Sequence, residues 1–221
     1  MVDAESQGEM CCVRFDIPSG SSAPACICVA RHGETDWNAV GTLQGWIDVP
    51  INDKGRRQAR HLAEHFADAG IQRIFSSPLI RARETAAIVA ASLGLPLPCL
   101  HEGLKERCFG VIQGVPRDEI AELNPVLFQQ LMKRSPACHF AQGETMDQFA
   151  ERVLAALTDI ARDNPGLRLL AITHGWVLDV IVRHVNGLPR NAILPLKRKN
   201  IDHLWLEVGA GGIRRWQATA A

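Results

Sequence analysis

Two short apolar segments of the chain each end in a histidine followed by a glycine. The segment "CICVARHG" ends in His32 and Gly33, and "LLAITHG" ends in His174 and Gly175. Short apolar runs of this kind are typical of buried strands. Glycine lets the backbone turn sharply or approach a ligand closely. The sequence therefore predicts a buried sheet in which two strands each end in a histidine.

Amphipathic helix patterns alternate with these apolar runs along the chain. Helices are predicted at 54–70, 76–94, 144–162 and 176–187. Strands are predicted at 25–31, 73–75 and 167–173, with a terminal hairpin at 201–216. Residues 99–140 predict loops and short helices over one face of the sheet. The alternation predicts an α/β fold, a three-layer sandwich with a mostly parallel central sheet and helices on both faces.

Length and charge narrow the classes of protein. A chain of 221 residues is long enough for one α/β domain, and its 24 Lys and Arg balance 24 Asp and Glu. Nothing in this charge balance attracts nucleic acid or an anionic membrane. Residues 1–24 lack the apolar core of a secretory signal and are expected to form a disordered or loosely attached tail. Residues 25–221 are expected to form a single catalytic domain of a cytoplasmic protein; a homodimer is compatible with the sequence.

The residues around the first histidine point to an anion site. Ligands of open α/β sheets bind outside the carboxyl ends of the strands. Arg31 keeps its charge and disfavours a protonated imidazole beside it, so His32 is expected in its neutral, nucleophilic form. A second guanidinium is expected from Arg81 or Arg83, at the start of the helix after strand 73–75. The planar guanidinium group, with its paired N–H donors, suits a doubly charged oxyanion, of which phosphate is the common one.

Phosphoryl transfer also needs a proton for the leaving oxygen. Glu106 in "LKERCFG" is a candidate donor, because few other carboxyl groups occur in that region. The chemistry alone does not separate it from an ordinary exposed glutamate.

Two other classes of function are weighed against this one. In a metal-dependent hydrolase the histidines would be ligands, but neither strand-end histidine has a further ligand at suitable spacing, and His61 with His65 lacks a third. No metal is therefore predicted. A phosphate-binding module without turnover would need neither a nucleophile nor an acid, so His32, Glu106 and His174 argue against it.

Four segments resemble one known family. "RHGETDWN", "SSPLIRARETA", "LKERCFGVIQG" and "ITHG" occur in the order and roughly the spacing of the histidine phosphatase superfamily, which includes the cofactor-dependent phosphoglycerate mutases. The resemblance covers about residues 26–208 and implies a phosphoglycerate mutase-like fold. It also implies that the substrate is a small phosphorylated metabolite, and that hydrolytic members need no cofactor.

The resemblance assigns roles to particular residues. His32 resembles the nucleophile that becomes phosphohistidine, and Glu106 the general acid that protonates the leaving alcohol. Arg31, Arg81 and His174 resemble the pocket that holds the phosphoryl group, which selects Arg81 over Arg83. Asn38 matches an asparagine that also contacts the phosphate.

The resemblance leaves the type of reaction to the remaining residues. Gln44 with Gly45, Phe109 and Trp176 stand where the mutases carry other residues, and the segment between the acid and the second histidine is shorter than theirs. These features favour metal-independent hydrolysis of a small phosphate monoester.

Other residues favour the mutases. Lys133 and Arg134 lie about as far from the acid as the substrate clamp of the mutases, and Arg117 falls near a mutase lysine. If they face the site, the substrate is expected to carry a second acidic group. The alternative function is thus a phosphoglycerate mutase dependent on 2,3-bisphosphoglycerate.

Overall fold

The computed structural model describes residues 23–195 and 198–217 of the chain. Its strands are β1 (Ala25–Arg31), β2 (Arg73–Ser76), β3 (Cys99–Leu100), β4 (Arg168–Thr173), β5 (His203–Gly209) and β6 (Gly212–Arg215). Most of the tail predicted at residues 1–24 lies outside the described residues.

The strands form one mixed sheet in the order β3-β2-β4-β1-β5-β6. The first four strands are parallel, whereas β5 runs antiparallel to β1 and pairs with β6 as the predicted terminal hairpin. In the register of β1 with β4, Arg31 lies opposite Thr173. The two strands therefore end at the same level, which brings the histidines that follow them together.

Within the described residues, seven α-helices connect and cover these strands. They are α1 (Asp36–Val40), α2 (Asp53–His65), α3 (Ile80–Leu93), α4 (Arg117–Leu123), α5 (Pro125–Met132), α6 (Met146–Arg162) and α7 (Gly175–Val185). Two 3-10 turns lie at Glu102–Leu104 and Gly110–Ile112. None of the described helices is both long and apolar enough to cross a membrane.

The helices form a layer on each face of the sheet, which confirms the predicted three-layer α/β fold. On one face, α6 and α7 bury apolar side chains such as Phe149 and Val177 against the strands. The short helices α4 and α5 add Ile120 and Leu131 to this core, so the segment predicted as loops and short helices does cover one face. On the other face, α2 and α3 pack around Phe66.

Two helix boundaries differ from the predictions by four residues or more, and one short strand was not predicted. Helix α2 ends at His65 rather than Gly70, because Phe66 is the last residue of its apolar stripe and Gly70 forms a later turn with φ of 66°. Helix α3 begins at Ile80, since the preceding Ser76 still belongs to β2 and Pro78 disfavours helix in the residue before it. Strand β3 was not expected, because two residues are too short to show a period.

Candidate active site

A small polar cavity opens to solvent where β1 ends. Eleven of the predicted site residues line it: Arg31, His32, Asn38, Gln44, Gly45, Arg81, Glu106, Phe109, Arg117, Arg134 and Trp176. His174 lies directly behind the cavity, with its ring centroid 5.2 Å from that of His32. Lys133 is exposed and is not among the lining residues.

His32 is held in one orientation by its own neighbour. Its Nδ1 lies 2.6 Å from the carbonyl oxygen of Gly33. A carbonyl oxygen only accepts hydrogen bonds, so Nδ1 carries the proton and Nε2 keeps its lone pair. Burial, followed by the charges of Arg81 and Arg31, holds the imidazole pKa well below its usual value. The ring is therefore neutral at physiological pH.

His174 is the N-cap residue directly before α7 and is fully buried. Its Nε2 lies 2.8 Å from the hydroxyl oxygen of Ser77, which follows β2. Burial, then the charges of Arg81, His32 and Arg31, lowers its pKa well below the usual value. Both histidines are thus kept neutral by the same surroundings.

Two arginines supply fixed positive charge, the buried Arg81 and the partly buried Arg31. Arg81 donates to the carbonyl oxygens of Gly45 at 2.6 Å and Ile47 at 3.0 Å, and Arg31 donates to that of Arg198 at 2.7 Å. Burial lowers the pKa of each guanidinium to about 10, so both stay charged at neutral pH. Because these partners are neutral carbonyls, the charges remain available to an anion.

The neighbouring Arg83 is exposed, whereas Arg81 is buried and lines the cavity. Of the two arginines of α3, the structure thus places Arg81 at the cavity and Arg83 in solvent.

Glu106 is the one carboxylic acid among the described residues that line the cavity. It is only 8% exposed; Oε1 accepts from the backbone N–H of Arg107 at 3.0 Å, and Oε2 from that of Trp176 at 3.4 Å. Burial raises its pKa despite those bonds and the nearby arginines. The raised pKa makes this carboxyl group better suited to donate a proton than an exposed glutamate.

The backbone of the Glu106 loop is held by a residue that the sequence did not single out. Arg152 of α6 forms a two-point ion pair with Glu144, with both contacts at 2.8 Å. The same guanidinium donates to the carbonyl oxygens of Gly103 at 3.0 Å and Glu106 at 3.2 Å. The indole N–H of Trp46 also donates to the Glu106 carbonyl, at 2.7 Å. These contacts fix the loop that carries the acid.

Asn38 is oriented by two donors. Its side-chain oxygen accepts from the backbone N–H of Thr35, within the capping box of α1, and from the amide of Asn200, each at 3.3 Å. The Asn200 amide also donates to the His32 carbonyl at 3.0 Å. Since the oxygen of Asn38 is engaged on both sides, its NH₂ group is the part available to an anion in the cavity.

Two further arginines line the cavity. Arg134 pairs with the buried Asp179 at 2.8 Å, and Asp179 also lies 3.4 Å from Arg198. Arg117 follows Pro116 at the start of α4. With Arg31 and Arg81, the lining holds four guanidinium groups against one carboxyl group, which defines a site for an anion.

Apolar and small residues complete the walls. Gly45 adopts a left-handed conformation with φ of 52°. The Phe109 and Trp176 rings meet edge to face with centroids 5.8 Å apart. Thr42 and Leu43, which the sequence reading had not selected, also line the cavity. Among the described residues, no group of three or more His, Cys, Asp or Glu side chains has the arrangement of a metal site.

Fold and site together define an α/β protein in which two strand-end histidines adjoin an arginine-rich cavity. The chain belongs to the histidine phosphatase superfamily (branch 1), whose family model matches residues 27–219.

Some relatives of this chain are named as phosphoglycerate mutases and others as phosphatases. The probable phosphoglycerate mutase GpmB of Cronobacter sakazakii is 35% identical over 172 residues, which cover 78% of this chain and 80% of that protein. The uncharacterized phosphatase PhoE of Bacillus subtilis is 32% identical over 161 residues, which cover 73% and 77%. The solved structure of Bacillus stearothermophilus YhfR has a TM-score of 0.78 at 29% identity and covers 86% of this chain and 95% of that one. These names establish the superfamily and leave the type of reaction open.

Proposed function

We propose that the protein hydrolyses small phosphate monoesters without a metal ion, through a phosphohistidine on His32. The observation that carries this proposal is the contact between Nδ1 of His32 and the Gly33 carbonyl, at 2.6 Å. It gives a buried, neutral imidazole whose remaining nitrogen has a free lone pair beside a cavity of arginines. A neutral imidazole with a fixed tautomer is what nucleophilic attack on phosphorus requires.

The reaction has two steps. In the first, Nε2 of His32 attacks phosphorus, the bond from phosphorus to the ester oxygen breaks, and Glu106 gives that oxygen its proton. The alcohol then leaves. In the second step, water attacks phosphorus, the Glu106 carboxylate takes a proton from the water, and the bond from phosphorus to nitrogen breaks. Phosphate leaves, while His32 and the protonated acid are restored.

The transferred group is held by charge. Arg31 and Arg81 are anchored by neutral carbonyls, so they would stabilise the negative oxygens around phosphorus throughout both steps. His174 and Asn38 complete this pocket in the proposal. Hydrolysis along this route needs no cofactor.

The position of two further arginines supports a substrate with a second acidic group. Arg117 and Arg134 line the cavity beyond the pair that holds the phosphoryl group. A carboxylate or a second phosphate on the leaving group would pair with them. The same two residues favour the second candidate function, a phosphoglycerate mutase that depends on 2,3-bisphosphoglycerate. Gln44, Phe109 and Trp176 favour hydrolysis.

The test measures phosphate release and isomerisation side by side. Purified protein in EDTA is assayed for phosphate release from 3-phosphoglycerate and a panel of monoesters. The same samples are assayed for 2-phosphoglycerate with and without 2,3-bisphosphoglycerate. His32→Ala is the test variant, and His61→Ala, which changes an exposed histidine of α2, is the matched control.

Phosphate release that is lost in His32→Ala and kept in His61→Ala, without isomerisation, is the expected result. Isomerisation that requires the bisphosphate would establish the mutase in place of the phosphatase. Release that continues in His32→Ala would refute the proposed nucleophile.

A further inference from the structure

Two aromatic side chains border the leaving-group side of the cavity. A general acid must lie within hydrogen-bond reach of the oxygen that it protonates. The backbone N–H of Trp176 contacts Oε2 of Glu106 at 3.4 Å, and Phe109 follows Glu106 by three residues. Both aromatic residues line the cavity. Both residues therefore border the space next to the acid, where the leaving group would lie.

The Trp176 indole is held in place from behind. The Arg107 guanidinium lies over its ring, with the central carbon 5.3 Å from the ring centroid, and over the Phe140 ring at 4.6 Å. Arg107 is only 1% exposed and donates to the carbonyl oxygens of Cys138 at 2.8 Å and Glu144 at 3.0 Å. Displacing the indole would disturb a buried cation that these carbonyls hold, so the ring forms a rigid wall.

The remainder of the cavity is polar and charged. Arg117 and Arg134, on the same lining, would accept an acidic group of a small substrate. A bulky apolar leaving group would have to push Trp176 aside and would leave Arg117 without an anionic partner, whereas Arg134 already pairs with Asp179. The rigid wall and the charged lining thus both favour a small, acidic leaving group.

We propose that Trp176 is a specificity-determining residue that limits the size of the leaving group. The substrate class would be phosphate monoesters of small acidic alcohols. This inference rests on the proposed phosphatase function for its substrate class, whereas the size limit itself is a property of binding.

The first experiment compares two esters whose leaving groups are phenols of similar acidity. Because 2-naphthyl phosphate and phenyl phosphate demand similar help from the acid, the ratio of their kcat/KM values reports size. The wild-type protein is expected to favour the phenyl ester, and Trp176→Ala to raise the naphthyl-to-phenyl ratio by about tenfold or more. Trp176→Phe, which keeps an aromatic ring, is expected to raise it by about threefold. Trp216→Ala, which changes a tryptophan packed against Trp205, is the matched control and should leave the ratio unchanged.

The second experiment measures binding without turnover. Dissociation constants of phenylphosphonate and 2-naphthylphosphonate, which are not hydrolysed, are determined by titration calorimetry for the same four proteins. The wild-type protein should bind the phenyl compound more tightly, and the preference should shrink or reverse in Trp176→Ala. If that variant does not fold, Trp176→Phe provides the comparison in both experiments.

The outcomes separate the two proposals. Hydrolysis that continues with unchanged ratios in both Trp176 variants would overturn the size limit and leave the phosphatase intact. A binding preference that follows Trp176 in a protein that hydrolyses none of the esters would support the size limit and refute the phosphatase.

Discussion

The substitution Glu106→Gln tests the proton donor directly. Glutamine keeps the size of the side chain and one oxygen that can accept from the Arg107 N–H group at 3.0 Å, so that only the longer contact with the Trp176 N–H group, at 3.4 Å, is lost. Its amide does not release a proton to the leaving oxygen. The variant should therefore fold as the wild-type protein does and lose the acid function alone.

The expected loss depends on how strongly the leaving group needs a proton. General acid catalysis contributes about 10²- to 10⁴-fold, or about 2.7 to 5.4 kcal/mol of transition-state free energy. For an alkyl phosphate, whose alkoxide is a poor leaving group, Glu106→Gln should lose this full amount in kcat. For p-nitrophenyl phosphate, whose phenolate leaves without a proton, the loss in the first chemical step should be below about tenfold.

The assay is single-turnover release of the alcohol or phenol, because it isolates the step in which the acid gives up its proton. Glu102→Gln, which changes an exposed glutamate paired with Lys105, serves as the control and should release the alcohol or phenol from both esters at the wild-type rate. Equal losses of Glu106→Gln on both esters would refute proton donation and leave a role in binding or charge.

Stability should move in the opposite direction from activity. Burial raises the pKa of Glu106 above its unfolded value, so the folded protein binds this proton more tightly than the unfolded chain does. The folded protein therefore loses stability as pH rises from the unfolded pKa to the folded pKa. Glu106→Gln has no such proton. Its free energy of unfolding should therefore gain on that of the wild-type protein between about pH 4.5 and pH 8. Urea titrations at the two pH values measure the difference.

Two further predictions concern the surroundings of the site. Arg152→Met, which breaks the partly buried pair with Glu144, should lower the free energy of unfolding by about 3 kcal/mol and reduce kcat. The control Arg162→Met, at an exposed position of the same helix, should lower it by less than about 0.5 kcal/mol. Equal losses in urea titrations would contradict a role of Arg152 in holding the Glu106 loop. The pKa values of His32 and His174 are lowered by burial, so the unfolded chain takes up their protons first and stability should fall as pH drops below about 6.5. His32→Ala should reduce that dependence by about 1.4 kcal/mol per pH unit near pH 5.5, and an unchanged slope would mean that the folded protein already binds this proton.

The site residues that could be predicted from the sequence are those whose position follows from a local pattern of apolar residues. His32 and His174 each follow an apolar run, and parallel strands of a sheet share an edge, so their proximity followed from pattern alone. Arg81 lay at the start of a helix that was visible in the sequence. The sequence pattern left open whether it or Arg83 faced inward, because the two residues flank the apolar position Ala82; the resemblance selected Arg81.

The supports of the site could not be predicted in the same way. Arg152 and Glu144 lie near the start of α6, far along the chain from the Glu106 loop that they hold, and Asn200 contacts His32 across 168 residues. A charged or amide side chain in a loop has the same local pattern whether it is solvated or buried. Lys133 and Arg134 show this difficulty, since both were predicted to form one substrate clamp. In the structure Lys133 is exposed to solvent, whereas the adjacent Arg134 lines the cavity.

Burial and charge act differently on the two groups that the proposed reaction needs. For His32 both lower the pKa, whereas for Glu106 burial raises it and the charges of Arg134, Arg81 and Arg31 lower it. A bound phosphate dianion would neutralise those charges, so the acid would hold its proton more tightly in the complex than in the free protein. Since kcat reports the complex and kcat/KM the free enzyme, the alkaline limb of the kcat profile should lie at higher pH. Coincident alkaline limbs would mean that the arginines do not act on Glu106 through their charge.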